Sequence, residues 1–208
     1  KKKLKLAEDY TELLPEQNRQ TGKSMSLEQA AACIQQTDRT LAKLKEERTE
    51  LEAKRNKYRE LSAKIEPFQD IPCSLSSLLD FKFIRFRFGK IPKEYYTKFE
   101  NYIYENSDTV FYRCHSDSQY VWGVYFSPKD QISRIDALYA SMHFERIYLP
   151  DEYEGIPEEA YHKLISDTAR TEEGIRSCDD RMADYLNSHA SELVGAKNRL
   201  SDMSENFD

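Results

Sequence analysis

Hydrophobic positions recur at three- and four-residue intervals along two long stretches of this chain, and alternate with polar ones in the block between them. The first stretch, 26–66, puts Leu27, Ile34, Leu41, Arg48 and Arg55 at a-type heptad positions and Ala30, Thr37, Leu44, Leu51, Tyr58 and Ile65 at d-type positions. This predicts a coiled-coil helix. Two successive seam arginines lower its stability and restrict the partner and register it tolerates. Ser24 or Ser26 can cap its start, with Gln29 completing a capping box to Ser26, and Pro67 and Pro72 end it. At a rise of about 1.5 Å per residue such a helix spans on the order of 60 Å.

A returning helix is expected over 157–208, opened by Pro157 at a favoured first helical position. Its seam runs Tyr161, Leu164, Thr168, Thr171, Ile175, Cys178, Met182 and Tyr185. It then shifts by one residue to Leu186, Leu193, Leu200 and Phe207, with Ala196 and Met203 between. Such a shift resembles a stutter and predicts curvature or local unwinding. Residues 1–25 form a short helix, up to about Leu14, and a polar linker.

Between the arms, 67–156 is expected to form a lobe. A strand over Phe81–Phe88 is followed by a turn at Gly89 and a helix starting at Pro92 with Tyr95 or Tyr96, Phe99 and Ile103 on its apolar stripe. Strands at Thr109–His115 and Gln119–Phe126 flank the turn residues Ser116, Asp117 and Ser118. A helix over Lys129–Met142 and a last strand over Phe144–Leu149 complete the order βαββαβ. The fold class is therefore α+β, a ferredoxin-like βαββαβ lobe at the tip of a long antiparallel two-helix coiled-coil hairpin. Ile84, Phe86, Phe88, Trp122, Val124, Phe126, Ile147 and Leu149 are expected to face the two lobe helices. The opposite face, with Phe81, Phe83, Arg85, Arg87, Val121, Tyr125, Phe144, Arg146 and Tyr148, is either covered by the arms or linker or is a docking surface.

Charge divides with these parts. The first arm carries 9 basic and 8 acidic residues, the middle block 10 of each, and 151–208 carries 6 basic against 15 acidic. An acidic returning arm favours pairing with its neighbour or a basic partner, and disfavours nucleic acid as a general ligand. A mean hydropathy of -0.81 leaves apolar residues enough for a thin seam and one small lobe, not one large core. No apolar run approaches the roughly 20 residues of a bilayer crossing, and the basic start Lys1–Leu6 is followed by no apolar stretch of a signal peptide. The chain starts without Met and stops within a helical pattern, as an excised piece does.

No constellation of catalytic chemistry emerges. Gly22-Lys23-Ser24 imitates the end of a phosphate-binding loop, but Gln17 stands where its first glycine belongs and no apolar strand precedes it. The four histidines, His115, His143, His162 and His189, lack metal-ligand spacing, and the four cysteines, Cys33, Cys73, Cys114 and Cys178, lack CxxC spacing and suit a reducing compartment as free thiols. Cys114 and His115 point to opposite faces of a strand, which is poor geometry for a nucleophile and its base. His143 with Glu145 suits a surface ion pair, and the pairs Asp179-Asp180 and Glu158-Glu159 a solvated helix face. A non-catalytic chain with no cofactor and no metal is expected.

The strings Phe83-Ile84-Arg85-Phe86-Arg87-Phe88-Gly89-Lys90-Ile91-Pro92, Trp122-Gly123-Val124-Tyr125-Phe126 and Phe144-Glu145-Arg146-Ile147-Tyr148-Leu149-Pro150, then Gly155-Ile156-Pro157, resemble the cytoplasmic half of V-type ATPase subunit I, the counterpart of subunit a. The resemblance runs from about residue 26 to the end. It implies the distal lobe and most of the helical hairpin, without the proximal lobe or the ion-conducting membrane half. It further implies stator work at the cytoplasmic face of the membrane: holding the ion-translocating sector still by binding peripheral stalks made of the E and G subunits during ATP-coupled proton or sodium transport. Arg85, Arg87, Tyr125 and Arg146 are the candidate partner-binding residues, since arginine and tyrosine are enriched at interface hot spots. Two other classes fit the same order of elements. One is an RRM-like single-stranded RNA-binding module, opposed by the absent Lys/Arg-Gly-Phe/Tyr pattern on the third strand and by the lobe's neutral charge. The other is a generic coiled-coil adaptor.

Overall fold

The computed structural model describes residues 1–71, 81–106, 108–148, 150–153 and 156–205. In chain order the elements are α1 (Lys2–Glu12), α2 (Leu27–Ile65), β1 (Ile84–Pro92), α3 (Lys93–Asn106), β2 (Val110–Ser116), β3 (Tyr120–Pro128), α4 (Ile132–Ser141), β4 (Glu145–Arg146), α5 (Pro157–Ser188) and α6 (Ala190–Glu205). The fold is α+β. Two compact units divide the chain, Lys1–Arg55 with Arg170–Asp208, and Asn56–Ala169.

The first unit is helical. Ser26 and Gln29 form the expected capping box: Gln29 N donates to Ser26 Oγ at 3.2 Å and Ser26 N to Gln29 Oε1 at 3.0 Å. Within this unit α2 and α5 run antiparallel, because Glu47 meets Arg181, Arg48 meets Asp179 and Leu51 packs on Gly174. The seam arginine Arg48 is accommodated by reaching carboxylates: its Nε lies 2.8 Å from Asp179 and its Nη1 bonds Glu52. Further along the pair, Ala30, Ile34 and Leu41 share a core with Leu186, Leu193 and Ala196. Ala7, Tyr10 and Leu14 of the N-terminal segment enter the same core, so α1 is a third packed helix rather than an appendage. The Tyr10 hydroxyl donates to Asp38 of α2 at 2.7 Å. The returning helix is interrupted at His189, just beyond the register shift at Tyr185 and Leu186. There the His189 ring stacks on Tyr185 at 4.2 Å, and its Nδ1 lies 2.8 Å from the Tyr185 carbonyl.

Gly22 and Lys23 cross α6 at close range. Lys23 N donates to Ser191 O, and a Cβ on Gly195 would lie under 3.0 Å from Lys23 O. The glycine of the Gly22-Lys23-Ser24 string thus serves backbone packing, with Gly22 itself facing Gly195 N and Asn198.

The second unit holds an antiparallel sheet in the order β2-β3-β1-β4, the ferredoxin-like arrangement of βαββαβ. Several expectations are corrected. Gly89 makes no turn: β1 continues through it to Pro92, pairing with β3 from Ile84↔Pro128 to Pro92↔Tyr120. The last strand is shorter than Phe144–Leu149, with only Glu145 and Arg146 in ladder pairing and Ile147 N donating to Phe88 O. Pro72, Cys73, Leu149 and Phe207 lie outside the described residues.

The assignment of the two sheet faces is reversed. The face of Arg87, Gly89, Ile91, Phe111, Val121 and Tyr125 receives α3 and α4 through Tyr96, Ile103, Ile135, Tyr139 and Met142. The face of Phe86, Phe88, Trp122, Val124 and Phe126, expected to meet those helices, instead meets Leu61 and Ile65 of α2, Phe68, Tyr153, and Ala160 and Leu164 of α5. Here too the ends of α2 and α5 converge, as their core positions require. A sheet covered on both sides carries apolar residues on both faces.

Candidate partner-binding site

Tyr125 and Arg146 line a recess between α4 and β4, about 320 Å3 in volume, together with Asp136, Ala140, Phe144 and Tyr148, and Arg87 reaches its Asp136. Strand alternation sets the geometry. Arg85 and Arg87 point to one face of β1, and the register Arg87↔Tyr125 and Gly89↔Arg146 brings β3 and β4 side chains alongside.

Tyr125 is a core residue. It is 2% exposed, and its ring stacks on Tyr139 at 3.8 Å with an interplanar angle of 2°. Phe144 closes edge-on against both rings. The Tyr125 hydroxyl donates to Asp136 Oδ1 at 2.5 Å. Burial first, then the Asp136 carboxylate, pushes this phenol well above the ordinary tyrosine range, while Arg87 and Arg146 oppose the shift. Arg87 Nε lies 3.5 Å from the same Asp136 oxygen, and its Nη1 donates to Phe86 O. Tyr125, 2% exposed, thus forms the floor of the recess, and Asp136, held by Arg87, forms its charged wall.

Arg85 and Arg146 are the outward members. Arg85 donates to Lys82 O, and Arg146 lies over the Tyr148 ring at 4.4 Å. Tyr148 is 70% exposed, and Phe83, before β1, is 81% exposed. The turn from α4 into β4 aims these groups. His143 takes φ 59°, His143 N donates to Ala140 O and Phe144 N to Tyr139 O, which is a Schellman closure with histidine in the place glycine usually takes. The contact of Phe144 with Tyr139 supplies the motif's apolar clasp. Asp136, which joins Tyr125 to Arg87, was not legible as a site residue. Its signal would have been its place on α4 one turn before Tyr139 and Ala140.

Cys114 is packed against the other sheet face, where burial pushes its thiol up to about 12. Among the described residues no group of three or more His, Cys, Asp or Glu could hold a metal ion, and no helix is long and apolar enough to cross a membrane. The sheet face on which an RRM would stack bases lies beneath Leu61, Ile65, Phe68 and Leu164.

The class defined by this architecture is an α+β protein with a ferredoxin-like sheet and long antiparallel helices. No protein-family model matches the chain, and no curated protein sequence does. A solved structure that it resembles is the cytoplasmic N-terminal domain of subunit I, homolog of subunit a, of V-ATPase, with a TM-score of 0.51 and 12% identity over 97% of this chain and 67% of that one. The chain has the fold of that domain, the same one its strand and turn strings resemble.

Proposed function

We propose that this chain is a non-catalytic stator part of a rotary V-type ATPase or ATP synthase, linking the ion-translocating sector to peripheral stalks made of the E and G subunits. The observation that carries the reading is a fold shared with the subunit I domain over nearly the whole chain. The internal physics supports it. Long antiparallel helices with ion-paired seams resist bending, and a small sheet buried on both faces resists local opening. Work of this kind belongs at the cytoplasmic side of a membrane-bound complex. It needs no cofactor.

The stalk contact falls to the flank of β1 and β4, with Arg85 and Arg146 as contact residues and Arg87 and Tyr125 as the groups that hold Asp136 and the recess in shape. Mixing the chain with purified E and G subunits at tens of micromolar should give a complex on size exclusion. Failure to form any complex at that concentration counts against the reading, whereas a weak complex supports it, because the complete machine joins its parts at several points.

A further inference from the structure

We infer that the flank of the recess is a docking site for an acidic α-helix, whose carboxylates pair with Arg85 and Arg146 on either side of the Asp136-bound Arg87 while one apolar side chain enters between Ala140 and Phe144. The inference rests on the stalk reading above and names the chemistry that its partner must present.

Charge arrangement leads to it. Arg85 and Arg87 stand two residues apart on one face of β1, roughly 7 Å along the strand. Arg146 opposes Gly89, so it continues the row two residues further and one strand across. The backbone positions of the three arginines thus make a row about 13 Å long. On an α-helix, carboxylates at i, i+4 and i+8 recur about every 6 Å on one side, which matches the row. Only Arg87 has a carboxylate here: among the described residues Arg85 reaches Lys82 O and Arg146 reaches the Tyr148 ring, with no carboxylate of Asp or Glu within 4 Å.

The layer geometry selects a helix over an extended strand. α3 and α4 cover β2, β3 and the Arg87–Ile91 part of β1 on this face, while Arg146 and Tyr148 remain exposed beside α4. A strand would need a sheet edge, and the edge strand β4 offers only Glu145 and Arg146 in ladder pairing, a short template for strand addition. A helix laid parallel to the sheet beside α4 joins the existing helix layer and buries Tyr148. Arginine then supplies charge-assisted bonds in a partly desolvated setting.

The test uses the whole chain and a labelled synthetic amphipathic helix with Glu at i, i+4 and i+8 beside a leucine stripe, read by fluorescence anisotropy. A second peptide carries Lys in place of each Glu. Binding on the order of tens of micromolar is expected for the acidic peptide, weakening with salt as the paired charges are screened. Arg85→Glu with Arg146→Glu should weaken it at least tenfold. Ala140→Glu, at an exposed helix position that leaves the core intact, should do the same. Equal binding of the lysine peptide, or unchanged affinity in both variants, overturns the inference. The E and G subunits are run on the same proteins. If they bind wild type and both variants alike, the acidic-helix site fails and the stator reading stands. If the acidic peptide shows the expected dependence while E and G fail to bind wild type, the site stands and the stator reading fails.

Discussion

Gly89 and Gly123 stand directly opposite each other on β1 and β3, and the rings of Phe144 and Phe111 lie over the backbone that their missing side chains leave open. A Cβ on Gly89 would come under 3.0 Å from Glu145 O and the Phe144 ring, and one on Gly123 under 3.0 Å from the Phe111 ring and Tyr112 O. Backbone oxygens on both sides cannot withdraw as a flexible side chain could. Gly89→Ala should therefore cost about 2 kcal/mol or more through overpacking, and Gly123→Ala a similar amount, measured by urea denaturation. Unchanged midpoints would contradict this packing.

The stacked pair Tyr125 and Tyr139 offers a graded test. Tyr125→Phe keeps the stack and removes the hydroxyl that donates to Asp136, so the loss should be about 1–2 kcal/mol. Tyr125→Ala also removes the ring from the core and should cost about 3–5 kcal/mol. Asp136→Asn should reproduce most of the first loss, since the Tyr125 hydroxyl and Arg87 then lose the carboxylate they share.

How legible was this fold in its sequence? The βαββαβ order, the capping box at Ser26 and the turn around Asp117, whose Oδ1 accepts from Gln119 N and Tyr120 N, all follow from local signals that tertiary packing did not override. The facing of the sheet did not. Alternation separates Phe86 and Phe88 from Arg87 and Gly89, but it cannot say which set meets the helices when both sides are buried. The more hydrophobic set, with Phe86, Phe88 and Phe126, turned out to meet α2 and α5. The hidden cue was size: two glycines opposite each other leave room for Phe111 and Phe144 beneath close-packed helices. For the recess, arginine positions were legible but their partner Asp136 was not, because that pairing depends on how α4 is laid across β3. The role of α1 could have been read from Ala7, Tyr10 and Leu14, which fall on one face at intervals of three and four residues.

His143 keeps a left-handed conformation that favours glycine. His143→Gly should stabilise the lobe by about 0.5–1 kcal/mol, less whatever the 4.5 Å contact of the His143 ring with Tyr95 contributes. Thermal melting checks the sign. A lower Tm would mean that the ring contact outweighs the backbone preference.

Alkaline pH should spare the fold until late. Burial, then Glu100, raises the Tyr96 phenol to about 12, and burial, then a bonded aspartate, raises Tyr10, Tyr125 and Tyr153. A folded pKa above the ordinary value near 10 means that the protein loses stability as pH rises. This stability is fully present below about pH 10 and is withdrawn as pH climbs through 12. Absorbance at 295 nm should show the exposed tyrosines titrating near pH 10, with a second, cooperative step that coincides with loss of the far-ultraviolet signal. One smooth titration of all tyrosines near 10, with the fold intact, would contradict their burial.

The most direct test of the stator account is photo-crosslinking from Tyr148, which is exposed beside Arg146. A benzoylphenylalanine placed there in the intact protein, in the cells that make it, should yield on irradiation an adduct with one of the two stalk proteins, E or G, lost in Arg85→Glu with Arg146→Glu. Adducts with RNA, or the absence of any adduct with E or G, would contradict the account.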